Sequence, residues 1–196
     1  MNNFRRAYLP WVFIVLCSLG LVHSAAAANT NAFYSVKDFG AMGDGLAKDT
    51  QAIQSAVDAA SNAGGGTVYL PPGVYLSGTI FMKNNVIFHL EAGATLLGST
   101  DLADYVSVTP EFRSYTENYV HQSLLHAENV ENITITGRGT IDGQGEEPEF
   151  DTSSLPGHGY RKRPYIIRFV SCKNITVEKI FLQNSPMWMQ LYLACD

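Results

Sequence analysis

The sequence predicts an all-β solenoid closed at its N-terminal end by one α-helix. Three observations carry that prediction. A glycine-punctured loop, Phe39-Gly40-Ala41-Met42-Gly43-Asp44-Gly45, runs into a single amphipathic helix. After that helix the chain consists of short strands separated by Gly and Asn, with no further helical period. These strand segments also resemble one another at fixed offsets, which favours stacked repeats over a sandwich or closed barrel.

Taken in order, the first element is a targeting segment. Arg5 and Arg6 precede an apolar run from Tyr8 to Val22, and Ala25-Ala26-Ala27-Ala28 offers small residues for cleavage. The run of about 15 apolar residues is short against the roughly 20 that a membrane span needs, so residues 1–27 read as a secretory signal peptide. The paired arginines fit ordinary or twin-arginine export alike. Residues 28–196 are then one secreted or periplasmic domain with no membrane anchor. Losing Arg5 and Arg6 removes two positive charges from a formal net charge of −5, and an acidic chain offers no electrostatic footprint for nucleic acid. Cys17 leaves with the signal. The remaining Cys172 and Cys195 are too few for a disulfide scaffold, no Cys/His spacing reads as a zinc site, and no cofactor or metal is expected.

The helix is predicted over Asp49–Asn62, where Ile53, Ala56, Val57 and Ala60 form one apolar face. Asp49 or Thr50 is placed to accept first-turn N–H groups, and Gly64-Gly65-Gly66 ends the helix. Thr67-Val68-Tyr69-Leu70 then starts a strand before the Pro71-Pro72-Gly73 turn, so the cap covers about 33–75 and the coils about 76–196. Clear strands follow at Val86–Leu90, Asn132–Thr136, Tyr165–Val170, Asn174–Val177 and Trp188–Leu193.

Val170-Ser171-Cys172-Lys173 matches Leu193-Ala194-Cys195-Asp196 at an offset of 23, and Asn129–Thr134 matches Ser171–Thr176 at an offset of 42. A coil of about 22 residues reconciles the two if the longer interval carries a loop of about 20. Gln144 to Pro164 supplies it. In this register Val130, Cys172 and Cys195 are equivalent, and strands about 4.8 Å apart can stack free thiols as readily as bridge them. Asn132 and Asn174 also align and are expected to stack at a tight corner, their amides bonding neighbouring coils; as sequons they could carry glycans in a eukaryotic host.

The lead-in, together with Gly137-Arg138-Gly139-Thr140-Ile141-Asp142-Gly143, Arg163-Pro164-Tyr165-Ile166-Ile167-Arg168-Phe169 and Asn184-Ser185-Pro186-Met187-Trp188, resembles the polygalacturonase family (glycoside hydrolase family 28) of the pectate-lyase-like superfamily. The resemblance covers essentially the whole mature chain. It implies a right-handed parallel β-helix of four to five coils and hydrolysis of a pectic, galacturonan-like polysaccharide with inversion. Inversion uses an acid and a carboxylate about 6.5–9.5 Å apart. The family's Asn-Thr-Asp, Asp-Asp, Gly-His-Gly and Arg-x-Lys elements follow the Asn-Ser-Pro coil; none occurs after it here, and Gly157-His158-Gly159 precedes it. No catalytic residue can therefore be assigned, and the chain is expected to be part of a longer glycosidase or a truncated product.

The present carboxylates do not substitute. Glu146, Glu147, Glu149 and Asp151 read as a solvated loop, Asp44 and Asp142 as turn residues, and His158 precedes the Asn-Ser-Pro coil where the family's histidine follows it. Candidate substrate contacts are Trp188, Gln190 and Tyr192, which alternate with Met189, Leu191 and Leu193 and face outward if the aliphatic set is the core. Relatives in the resembled family carry a histidine near Leu191. Arg161, Arg163 and Arg168, with Lys162, form a basic group suited to uronate carboxylates. The alternatives to a hydrolase are a pectate-type lyase and a non-catalytic carbohydrate-binding β-helix. The sequence does not define an oligomeric state.

Overall fold

The computed structural model describes residues 32–116, 120–151 and 162–196. The predicted signal peptide, Cys17, His158 and Arg161 lie outside the described residues. The first coil contains β1 (Phe33–Ser35), β2 (Asp44–Lys48) and α1 (Thr50–Asn62). Each later coil supplies three strands. They are β3 (Gly66–Leu70), β4 (Gly73–Ser77) and β5 (Ile80–Phe81); β6 (Val86–Leu90), β7 (Ala94–Gly98) and β8 (Ser123–Glu128); β9 (Glu131–Gly137), β10 (Thr140–Asp142) and β11 (Tyr165–Val170); and β12 (Lys173–Val177), β13 (Phe181–Gln183) and β14 (Gln190–Leu193).

Every strand pairs in parallel with its counterpart in the next coil, giving three sheets. The first is β1-β3-β6-β9-β12, the second β2-β4-β7-β10-β13 and the third β5-β8-β11-β14. The chain is thus a parallel β-helix, right-handed as crossovers between parallel strands are. The third sheet is one strand short because α1 lies in that place in the first coil. Its Gln54 side chain stands in for a strand there. Gln54 Nε2 donates to Phe81 O at 3.0 Å and Gln54 Oε1 accepts from Phe81 N–H at 2.8 Å, so the edge of β5 is closed.

Three ladders of side chains converge on the axis. Val68, Phe88, Ile135 and Val177 come from the first sheet, Tyr75, Leu96, Ile141 and Leu182 from the second, and Ile80, Leu125, Ile167 and Gln190 from the third. Most of these are fully buried. Each buried aliphatic or aromatic side chain contributes about 1.5–3 kcal/mol. Repeating the same type at each level makes the core continuous.

The helix face Ile53, Ala56, Val57 and Ala60 is buried as expected. The expected N-cap bond is not made. Asp49, itself buried, accepts from the N–H groups of Met42 (2.6 Å) and Gly43 (2.9 Å), pinning the glycine loop to the helix start. Thr50 Oγ1 accepts from Gly78 N–H at 2.9 Å, tying the helix to the coil above. Both polar groups join elements distant in sequence, which local capping rules do not anticipate.

The expected register holds, with Val170 beside Leu193 and Ile133 beside Ile175. Asn132 and Asn174 stack as anticipated, and Asn85 extends the row. Asn132 Nδ2 donates to Asn85 Oδ1 and Asn174 Nδ2 to Asn132 Oδ1, both at 2.7 Å, with φ of 62°, 59° and 52° for residues 85, 132 and 174. Cys172 and Cys195 are free thiols, the first buried, with Cys172 N–H 3.4 Å from Cys195 Sγ. The predicted loop Gln144 to Pro164 falls between β10 and β11, with 152–161 outside the described residues. A second excursion, 99–122, leaves between β7 and β8 and has no counterpart in the predicted coil pattern.

Candidate functional site

The outer face of the third sheet differs from the rest of the surface. Phe81, His126, Arg168 and Leu191 stand in register on four successive strands, facing away from the Ile80–Leu125–Ile167 ladder. Both faces of β8 and β11 are buried there. The inward face packs on the axis, and the outward face lies under the 99–122 excursion.

The described residues of that excursion are anchored at several points. Tyr105 Oη donates to Ser99 O at 2.7 Å, Val106 N–H to Thr79 Oγ1 at 3.0 Å, and Val108 N–H to His121 O at 2.9 Å, pairing its two arms. Glu111 N–H donates to Glu128 Oε1 at 2.7 Å, and Arg168 Nη1 reaches Val108 O at 3.5 Å.

Arg168 is consequently 0% exposed, the largest fully buried side chain described. Its Nε and Nη2 are buried and have no hydrogen-bond partner among the described residues, and neither has His121 Nδ1. Burial lowers the Arg168 pKa, opposed by Tyr165 and the Glu128 carboxylate. Burial, and then the Arg168 charge, push the His126 imidazole down to about 4. The same two causes lower His121, with Arg113 adding to them. At neutral pH the site holds a desolvated guanidinium beside two uncharged imidazoles. Phe81 packs edge-on against the His126 ring at 5.5 Å.

The predicted basic group is described only in part. Arg168 belongs to the site. Arg163 is half-buried at the Asn-Ser-Pro turn, its Nη2 3.9 Å from Met187 Sδ. Arg161 is among the residues not described.

The outward placement of Gln190 and Tyr192 is corrected. The alternation along the strand is as predicted, but the faces are exchanged. Gln190 extends the axial ladder above Ile167, and Tyr192 stands above the buried Phe169, ring centroids 5.9 Å apart. Tyr192 Oη donates to Gln190 Oε1 at 2.7 Å. Together with Ile175, Val177 and Cys195 they line a cavity of about 380 Å³ around the solenoid axis. Leu191 and Leu193 instead continue the outward rows of Arg168 and Val170. Gln190 and Tyr192 are nonetheless exposed, on the last strand of the third sheet. Trp188 precedes the strand at a turn closed by Ser185 Oγ donating to Trp188 O at 2.9 Å, and is 58% exposed.

The carboxylates fall where turn chemistry puts them. Asp44 accepts from Leu46 and Ala47 N–H, and Asp142 accepts from Gln144 N–H and from the side chains of Gln183 and Asn184. Glu146, Glu147 and Glu149 are exposed on the loop. No group of three or more metal-ligating side chains occurs among the described residues. His121 and His126 went unnoticed in the sequence. The available signal was the offset of 42 that relates Asn132 to Asn174, since it also places His126 beside Arg168.

A helix-capped stack of three parallel sheets, with one outer face set apart by excursions, defines a β-helix of the pectate-lyase-like class. The profile described as rhamnogalacturonase A/epimerase, pectate lyase-like matches residues 33–186, and the chain belongs to that family. It is 33% identical over 165 residues to a Vitis vinifera protein named "Probable polygalacturonase", covering 79% of this chain and 33% of that one. It is 49% identical over 123 residues to mannuronan C5-epimerase AlgE1 of Azotobacter vinelandii, covering 56% of this chain and 9% of the relative. Among solved structures, a Yersinia enterocolitica family 28 exopolygalacturonase superposes with a TM-score of 0.65 at 22% identity, over 85% of this chain and 37% of that one. The polygalacturonase-like character expected from the motifs is borne out. The chain spans a third or less of the length of these curated relatives.

Proposed function

We propose that the whole protein is a glycoside hydrolase of the polygalacturonase type, exported from the cytoplasm and acting on a pectic, galacturonan-like polysaccharide with inversion. The observation that carries this reading is the family match over 33–186, which joins the cap, the Gly-rich coil and the Asn-Ser-Pro coil in one register. Supporting it is the chemistry of the third sheet, where a buried cation suits a polymer that carries one carboxylate per sugar. Trp188, with an exposed indole, is positioned to pack on a sugar face.

Inversion needs two carboxyl groups about 6.5–9.5 Å apart across the scissile bond. On the outer face of the third sheet the described carboxylate is Glu128, already bonded to Glu111 N–H. The proposal therefore assigns to this chain the cap, the scaffold and the recognition of negative charge, and assigns it no acid pair.

A second reading is favoured by the 49% identity to a mannuronan C5-epimerase: uronate chemistry at C5, as epimerisation or β-elimination. Incubation with polygalacturonate and with polymannuronate in deuterated water separates the two. Hydrolysis yields new reducing ends without the absorbance of an unsaturated uronate. Elimination yields that absorbance, and epimerisation exchanges the C5 hydrogen with no change in chain length. Either of the last two outcomes sinks the hydrolase, and binding without turnover leaves a non-catalytic carbohydrate-binding protein.

A further inference from the structure

We propose that Cys172 and Cys195 form a reversible disulfide that cross-links the last two described coils, made by exchange with a small oxidised thiol.

Register brings the two thiols together. Val170 pairs with Leu193, and just beyond that rung Asp196 N–H donates to Cys172 O at 3.0 Å, so the cysteines stand level on neighbouring coils. Strands so paired lie about 4.8 Å apart, within the roughly 4.4–6.8 Å that bridged Cα atoms span. Both side chains turn towards the axis, Cys172 inside the core and Cys195 packed against it. Cys195 Sγ leans across onto the coil below, 3.4 Å from Cys172 N and 3.6 Å from Phe169 O. Each thiol otherwise faces the carbonyl two residues before it, Cys172 Sγ 3.2 Å from Val170 O and Cys195 Sγ 3.4 Å from Leu193 O. A thiol is a weak donor, so little is lost when a bond between the sulfurs replaces those contacts.

The two surroundings differ as a two-step exchange requires. Cys172 is fully buried, and burial raises the pKa of its thiol. Cys195 is half-buried and lines the axial cavity of about 380 Å³ beside Gln190 and Tyr192, so it meets a reagent first. With oxidised glutathione, the Cys195 thiolate attacks one sulfur, forming a mixed disulfide and releasing one glutathione thiolate. The Cys172 thiolate then attacks Cys195 Sγ, and the second glutathione leaves. One S–S bond forms in the protein as one breaks in the oxidant. The two cysteine protons and two electrons end on the two glutathione thiols. Joining residues one coil apart restricts the unfolded chain and should raise Tm by about 5 °C.

Peptide mapping tests this. The reduced protein is dialysed against oxidised glutathione, remaining thiols are blocked with iodoacetamide, and tryptic peptides are weighed without reductant. Cleavage after Arg168, Lys173 and Lys179 places the two cysteines on separate peptides. Residues 169–173 should be found joined to the peptide that begins at Ile180. Dithiothreitol should separate them and reverse the rise in Tm. Cys172→Ala should stop with glutathione on Cys195, and Cys195→Ala should leave Cys172 a free thiol, which checks the order of attack. Both cysteines recovered as alkylated thiols would overturn the proposal and leave a pair that merely stacks. So would glutathione retained on Cys195 of the wild type, or a bridge from either cysteine to Cys17 or to a second molecule.

Discussion

The first and third sheets are built from the same coils but solve different problems. On the first sheet the outer face is open, and the corner beside it is held by a repeated device, the Asn85–Asn132–Asn174 ladder in left-handed backbone. Before the third sheet's β8 and β11 the coils carry long insertions, after β7 and after β10, and β8 and β11 are buried on both faces. Regularity makes the first sheet a scaffold. Irregularity on the third takes Arg168 and His126 out of water, with His121 half-buried beside them, where charge acts most strongly. Buried polar groups thus concentrate where coil length varies, and repeated backbone devices where coil length is constant.

The sharpest way to break the scaffold half of that contrast is Gly137→Ala. Gly137 ends β9 at φ 127°, and an added Cβ would lie 1.9 Å from Leu90 O. That oxygen also accepts the N–H groups of Arg138 and Gly139, so the β6–β9 ladder would have to open. We expect a loss of at least about 4 kcal/mol in urea unfolding. Gly40→Ala is the control: φ is 96° but nothing lies within 4 Å, so the backbone alone costs about 1 kcal/mol. Equal losses at the two sites would refute a scaffold set by coil-to-coil contact.

The same contrast explains how far the sequence could be read. Strands at Val86–Leu90 and Tyr165–Val170, the helix face and the Asn stacking were all legible, because each repeats a period or a motif. The 99–122 excursion repeats nothing, so neither its existence nor the roof it places over β8 and β11 could be foreseen. Gln190 and Tyr192 were read as outward, whereas the register sets them above Ile167 and Phe169, and alternation within one strand does not say which face is which. Asp49 was read as a local cap, whereas it bonds a loop six and seven residues back.

Acid titration probes the third sheet. His126 is pushed from 6.5 down to about 4, by burial first and by Arg168 second. The unfolded chain therefore takes up a proton at a pH where the folded protein refuses it. The contribution is complete above about pH 6.5, falls as the pH drops, and has cost about 3 kcal/mol by pH 4. His121, lowered by burial and Arg168, acts in the same direction. The carboxyls of Glu91 and Asp44 are held low chiefly by backbone N–H groups, of Ala92 and of Ala47 and Leu46, so their losses belong to more acid solution. Urea midpoints from pH 7 to 4 should decline in the wild type and decline less in His126→Phe, which retains a ring against Phe81. An identical decline in the two proteins would mean that the roofed face does not govern the acid response.

The smallest expected effect returns to the first sheet and separates its two ingredients. Asn132→Ala removes one bond to Asn85 and one from Asn174 while keeping an L side chain at φ 59°. The two exposed amide bonds and the left-handed backbone together should cost about 2 kcal/mol. Asn132→Gly loses the same bonds but adopts positive φ freely, so it should cost about 1 kcal/mol less than alanine. If glycine proved as damaging as alanine, the hydrogen-bond ladder would account for the corner by itself. If glycine matched the wild type, the amides would contribute nothing and the corner would be a matter of backbone shape.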